Sequence, residues 1–408
     1  MRWTHKSEIN SSILLSQLLI KMLIKKKLQK ILKKISYGLF FKIYGKIEKS
    51  IKCESESRIK VKKVNLDNGL EYKVYKIQDS RLYTDRIQDT AVIIDNKIID
   101  EPSFQFRNVN YTKFKNIKDV GWSIRNSKIE DNIVFTNGTP RILKNLDGVV
   151  LSLLTGGAGN NNYWHWLLDV LPRIGLCDKT FGINNIDYFL VPDNVRKFQR
   201  ETMSCLDISA NKLLSSKKYR HIKAKELIVT DHPVVTSGNA TDDINDIPLW
   251  ISKWLREKFI DKNKPEGKKI INKTYIERDR ESSKKIPVRS ISNEEEVKSY
   301  LLNKGFISVR LGEINFSEQV NLFHNSNCIV GLHGAAFANL SFCKPGTRVI
   351  ELKSSTAGLV IEKFAKKNNL EYNSVSVEAK HIYKYDFPTP QGHLQIPINN
   401  LDKILNNK

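Results

Sequence analysis

Strand-like and helix-like segments alternate without a break from Asp187 to Val377. Short apolar or β-branched runs ("DYFLVP", "ELIVT", "IINKTYIER", "FISVR", "CIVGL", "RVIEL", "EYNSVSV") are separated by segments of helical period. The helical segments are Val195–Leu206, "PLWISKWLREKF", "NEEEVKSYLLNKG", "SEQVNLFHNS", "AAFANLSF" and "VIEKFAKKNN". In "PLWISKWLREKF", Ile251, Trp254, Leu255 and Phe259 share one face. Parallel neighbours need a crossover long enough to hold a helix, so this alternation predicts an α/β chain with parallel, doubly wound sheets. Two such regions are expected, 57–250 and 266–380, the second domain reaching 395 and a tail helix lying near 397–407 within 396–408. The Lys-rich "IDKNKPEGKK" between them reads as a linker. Within the first region, 57–155 is rich in strands separated by Asn, Asp and Gly, and "NNNYWHWLLDV" starts a helix that runs to Pro172.

The N-terminal segment is built differently. Residues 1–52 carry thirteen Lys and Arg against two Glu, leaving +11 of the chain's net +23. The longest uncharged stretch, Ile9 to Ile20, is twelve residues, short of the ~20 that cross a bilayer. Ile24, Leu28, Ile31, Leu32, Ile35 and Leu39 recur at helical spacing, with Lys25, Lys26, Lys30, Lys33 and Lys34 between them. Such a basic amphipathic helix suits an anionic membrane surface; packing on the protein's own body or contact with nucleic acid are the other readings. Five scattered cysteines (Cys53, Cys177, Cys205, Cys328, Cys343) form no C-x-x-C pair, which points to a reducing compartment and to neither a zinc site nor a disulfide framework.

Three constellations carry chemistry. "GLHGAAFANLSFCKPGTRVIEL", 331–352, is a strand–loop–helix–turn–strand unit. Gly331 and Gly334 let a phosphate approach the backbone, and a helix beginning near Ala335 offers free N–H groups. His333 then lies where a diphosphate would sit, and Glu351 can accept from ribose hydroxyls; the alternative is a glycine turn with a satisfied histidine. Arg278 and Arg280 follow a strand and Arg289 precedes a helix cap at Asn293, an arrangement suited to a diphosphate or to an exposed charge cluster. In "NNNYWHWLLDVLPR", Asp169 stands four residues after His165. A carboxylate there can fix the imidazole's tautomer and make it a general base, with Tyr163 and Trp166 stacking on a sugar; an inert core histidine is the alternative. "DRE" at 279–281 is the nearest approach to a metal clamp, and no obligatory metal is expected. His221 and His232 read as structural.

Taken together these segments resemble glycosyltransferase family 61, which includes bacterial proteins of capsular polysaccharide synthesis. The resemblance covers about 145–355. It rests on Tyr163, His165, Trp166, Pro172 and Arg173; on Arg278, Arg289, Asn293 and Glu294; and on Gly331, His333, Gly334, Ala335, Asn339, Phe342, Pro345, Gly346 and Glu351. It implies a GT-B fold, two Rossmann-like domains facing across a cleft, here with the basic helix in front. It also implies inverting transfer from a nucleotide-sugar, with UDP as the expected carrier, and no cofactor or metal. Arg278, Arg289, Gly331, His333, Gly334, Ala335, Asn339 and Glu351 would bind the donor. His165 and Asp169 would be catalytic, and Tyr163, Trp166 and Arg173 would lie on the acceptor side. A glycan or lipid-linked glycan acceptor, an anionic membrane partner, no nucleic acid, and a cytoplasmic place on the inner face of the cell membrane complete the expectation. A catalytically silent binding subunit of the same fold, or a nucleic-acid-binding protein, are the other classes.

Overall fold

The structure, a computed structural model, describes residues 3–67, 69–84, 90–103, 106–108, 124–126, 128–154, 162–193, 195–236, 243, 245–260, 273–278, 289–380 and 392–406. The expected linker beyond Ile260, Arg280 and the "DRE" segment lie outside these residues.

The second half follows the alternation. Five parallel strands stand in the order Ile307–Arg310, Lys273–Glu277, Cys328–Leu332, Arg348–Ser354, Glu371–Val377. The first strand in the chain is thus second in the sheet, and winding proceeds outward from it in both directions. Helices Glu294–Asn303, Phe316–Asn325 and Val360–Lys367 lie in the crossovers, and Ile398–Asn406 forms the tail helix. One crossover differs from expectation: "AAFANLSF" is a 3₁₀ helix, Ala335–Phe342.

The first half is doubly wound only in part. Its nine-stranded sheet is parallel across His221–Thr230, Lys144–Ser152, Tyr188–Val191 and Leu213–Ser215. Beyond His221–Thr230 it turns antiparallel, through Leu70–Thr84 to Ile59–Leu66 on one hand and Thr90–Ile94 on the other. The turns explain the departure. Asp95 and Asn96, both at positive φ, join Thr90–Ile94 to Lys97–Ile99, and a two-residue link can only make an antiparallel pair. Parallel winding therefore begins at Lys144, not at 57.

The two halves share one buried apolar cluster. Trp166, Phe189 and Met203 belong to it with Phe316, Phe337, Phe342 and Phe364. Phe259, at the end of helix Leu249–Phe259, packs edge-on against Phe316 at 4.9 Å. Where helix Pro172–Asp178 passes that helix, a side chain at Gly175 would come within 2.7 Å of the Trp254 ring nitrogen.

Trp3–Tyr44 is one continuous helix. Ile24, Leu28, Ile31, Leu32, Ile35, Leu39 and Ile43 are 51–65% exposed, so this stripe does not pack on the protein's own body. The far end is clamped. The Tyr44 hydroxyl accepts from the Leu143 N–H at 3.0 Å and its ring meets His221 edge-on. Among the described residues no helix is long and apolar enough to cross a membrane.

Candidate active site

Two histidine–carboxylate pairs stand among the candidate site residues. The first is local. Asn162 caps its helix, accepting from the Trp164 N–H at 2.9 Å. Tyr163–His165 then passes into a wide π-helical turn, Trp166–Val170, in which the Leu171 N–H reaches the Trp166 carbonyl at 3.0 Å. The helix does not stop at Pro172 but continues as Pro172–Asp178, since a proline in a first turn gives up no needed N–H. Turns of this kind recur at functional positions. This one sets His165 Nδ1 2.6 Å from Asp169 Oδ2.

Behind the pair stands Arg173, fully buried, with Nε donating to the Asp169 carbonyl at 2.9 Å. Burial opposes charge on His165, but the Asp169 carboxylate outweighs it and holds the imidazole above its ordinary value. Burial likewise disfavours charge on Asp169, yet His165, with help from Arg173, keeps it below the usual carboxylate value. Burial brings the Arg173 guanidinium down to about 10. His232 joins this group. Burial and the nearby Arg173 charge lower it to about 3, so it is neutral, and its Nδ1 accepts from the Val234 and Val235 N–H groups at 3.1 and 3.0 Å.

The second pair is tertiary. His333 follows strand Cys328–Leu332, and its N–H extends the ladder to the Leu352 carbonyl at 2.9 Å. The register pairs Gly331 with Glu351, which brings His333 Nδ1 onto Glu351 Oε1, while the Tyr372 hydroxyl donates to Oε2. In front of this loop lies a pocket of about 330 Å³ lined by Asn162, Arg278, Arg289, His333, Gly334 and Ala335, among others. It sits beyond the carboxyl ends of Lys273–Glu277 and Cys328–Leu332, the adjacent strands from which the sheet winds apart. That crevice is where open α/β sheets hold their ligands. Arg289 Nη1 donates to the His333 carbonyl at 2.7 Å, while its buried Nε has no hydrogen-bond partner among the described residues. Burial, with Arg278 alongside, brings Arg289 down to about 10, and burial also lowers Arg278.

Several expected ligands stand elsewhere. Gly331 is in the strand interior, where a Cβ would meet Phe337 at 3.3 Å and Ile276 at 3.4 Å; it serves packing. Asn339 is fully buried between Tyr163, whose hydroxyl donates to its Oδ1 at 2.6 Å, and Gln319. Trp166 is buried in the shared core with its ring N–H on Thr202 at 2.8 Å, which leaves no face for a sugar. Arg173 is as deep. Glu351 has no exposure, and both its oxygens are taken up inside the fold. Asn293 precedes its helix but turns its carboxamide to Ile396. His165 and Asp169 do not line the pocket; Asn162, at the start of their helix, does. Neither Tyr372, which meets Glu351 only through strand pairing, nor Lys353, two residues along the same strand, carries a signal in the sequence; His232, read as structural, is buried.

Residues 163–350 match the family model described as Glycosyltransferase 61. The match runs from Tyr163 through Arg278, Arg289 and the His333 loop and ends one residue short of Glu351. It supports the family resemblance and makes the protein a glycosyltransferase. No curated protein matches the chain.

Proposed function

We propose that the protein is an inverting transferase that moves a sugar from a UDP-sugar to a growing surface glycan. The observation that carries this reading is the switch-point pocket, where Arg278, the half-satisfied Arg289 and His333 converge. A diphosphate would lie against the backbone at Gly334 and Ala335, with the two guanidinium groups offsetting charge as it leaves. His165 takes the proton from an acceptor hydroxyl. The freed oxygen forms its bond to the anomeric carbon on the face opposite the diphosphate, and the bond from that carbon to the phosphate oxygen breaks. The nucleoside diphosphate departs with the electron pair. Asp169 supports the imidazolium so formed. With cations already in the pocket, the reaction needs no metal, and a chelator is expected to leave the rate unchanged.

The acceptor in this reading is carried on a lipid. The exposed stripe from Ile24 to Ile43, interleaved with lysines, would lie in an anionic leaflet on the cytoplasmic side and hold the enzyme beside its acceptor. A donor screen tests the chemistry: nucleotide release from UDP-, GDP- and CMP-sugars with lipid-linked acceptors. Release from a UDP-sugar is expected, and silence with every donor would overturn the reading. Flotation with anionic and neutral vesicles tests the membrane contact, which requires preference for the anionic ones and its loss without residues 1–52.

A further inference from the structure

The Glu351 carboxylate has no contact with water, and such a group is stable only when its lone pairs are met. One partner is His333 Nδ1 and another the Tyr372 hydroxyl; the Lys353 ammonium stands 3.9 Å from the same Oε2 that Tyr372 reaches. Glu351 and Lys353 are two apart on strand Arg348–Ser354 and so share a face. Tyr372 comes from the next strand, opposite Val349 on the same side. Lys353 Nζ lies 5.9 Å from the Tyr372 ring centroid, so the three form one group in which Glu351 and Lys353 are buried and Tyr372 is half-buried. All three lie past the end of the family match at residue 350.

A carboxylate only accepts hydrogen bonds. Nδ1 of His333 must therefore carry a proton, which leaves Nε2 as the ring nitrogen not engaged by Glu351; His333 itself lines the pocket. Which imidazole nitrogen faces a ligand is set by the bond made by the other. We propose that Tyr372 and Lys353 are positioning residues for His333: by fixing Glu351 they hold the ring with Nδ1–H inward, so that Nε2, protonated when the diphosphate binds, donates its N–H to the leaving group. This rests on the reading of the pocket as a diphosphate site. Without Tyr372 one carboxylate oxygen loses its donor, and without Lys353 the buried charge loses its counter-ion. In either case Glu351 is free to tilt and the ring to change tautomer.

The test uses the full chain with ¹⁵N-labelled histidine. Long-range ¹H–¹⁵N spectra, with no ligand present, report which His333 nitrogen is protonated, and the His333→Gln spectrum assigns the signals. Wild type is expected to show Nδ1 protonated. Tyr372→Phe keeps the ring and removes only the hydroxyl; Lys353→Met keeps most of the side chain's length. Each is expected to move the His333 signals toward a mixture of tautomers. UDP affinity is expected to weaken and donor KM to rise about three- to tenfold, the scale of one ordinary hydrogen bond because the effect is transmitted through Glu351, with kcat changing less. Signals and affinity equal to wild type in both variants would overturn the proposal, as would a lowered melting temperature with unmoved signals, the mark of a purely structural role. If wild type binds no UDP, the diphosphate reading falls instead, and the ligand-free spectra alone decide whether Tyr372 and Lys353 fix the ring.

Discussion

The His165–Asp169 and His333–Glu351 pairs are made of the same two chemical groups by opposite routes. The first joins residues four apart on one helix, and its imidazole is 34% exposed. The second joins the loop after one strand to the middle of the adjacent strand, its imidazole is 11% exposed, and its carboxylate is wholly enclosed. A histidine with an open edge can meet an acceptor and pass on a proton. A histidine locked to a buried carboxylate is better suited to holding one nitrogen toward a fixed charge. The contrast between a proton carrier and a grip can be broken or sharpened by substitution.

The largest effect is expected at the open pair. His165→Gln should lower kcat by about 10²–10⁴ and leave donor KM near wild type; an unchanged kcat would end its role as base. Next comes the enclosed side: Arg289→Ala should cost about 10²–10³ in kcat/KM, the scale of one lost donor to developing charge. Steady-state nucleotide release measures both. Asp169→Asn should cost less, about ten- to a hundredfold in kcat for one charge-assisted hydrogen bond, and should also move the pH profile. Asp169 raises His165, so its removal shifts the acidic limb of kcat to lower pH even as the plateau falls.

The same pair fixes two stability windows, which denaturant melts across pH would read. The His165 contribution is full below 6.5 and is lost as pH rises through the raised folded value. The Asp169 contribution is present above 3.8 and is lost as pH falls through the lowered folded value. In Asp169→Asn both slopes should flatten.

The smallest effects separate the two glycines of the loop. Gly331→Ala pushes a methyl against Phe337 and Ile276 and should cost about 1–3 kcal/mol of stability, read by thermal melting, with donor affinity kept in the folded fraction. At Gly334 the nearest atom to a Cβ is the Leu332 carbonyl oxygen at 3.7 Å. Gly334→Ala should therefore leave the melting temperature alone and weaken donor binding, since its methyl enters the pocket.

Much of the second half was legible because its strands and crossover helices are strictly periodic, and period is a local property. The antiparallel edge of the first sheet was not, since Asp95–Asn96 decides strand direction through backbone geometry that the apolar pattern does not encode. The site divides in the same way. The spacing of His165 and Asp169 is enough to place them together on a helix. The residue types of Arg278, Arg289, His333 and Gly334 pointed to an anion, and the sheet order brought them to one crevice.

The sequence by itself thus determined the alternating segments, the lysine-studded apolar stripe and the helical His–Asp pair, all of which depend on neighbours within a few residues. Only the tertiary structure decided that Trp166, Arg173 and Asn339 are interior supports, that Glu351 serves His333 and not the pocket, and that Tyr372 and Lys353 stand behind it. Burial and strand register are sums over contacts between residues distant in the chain, and no local spacing carries that information.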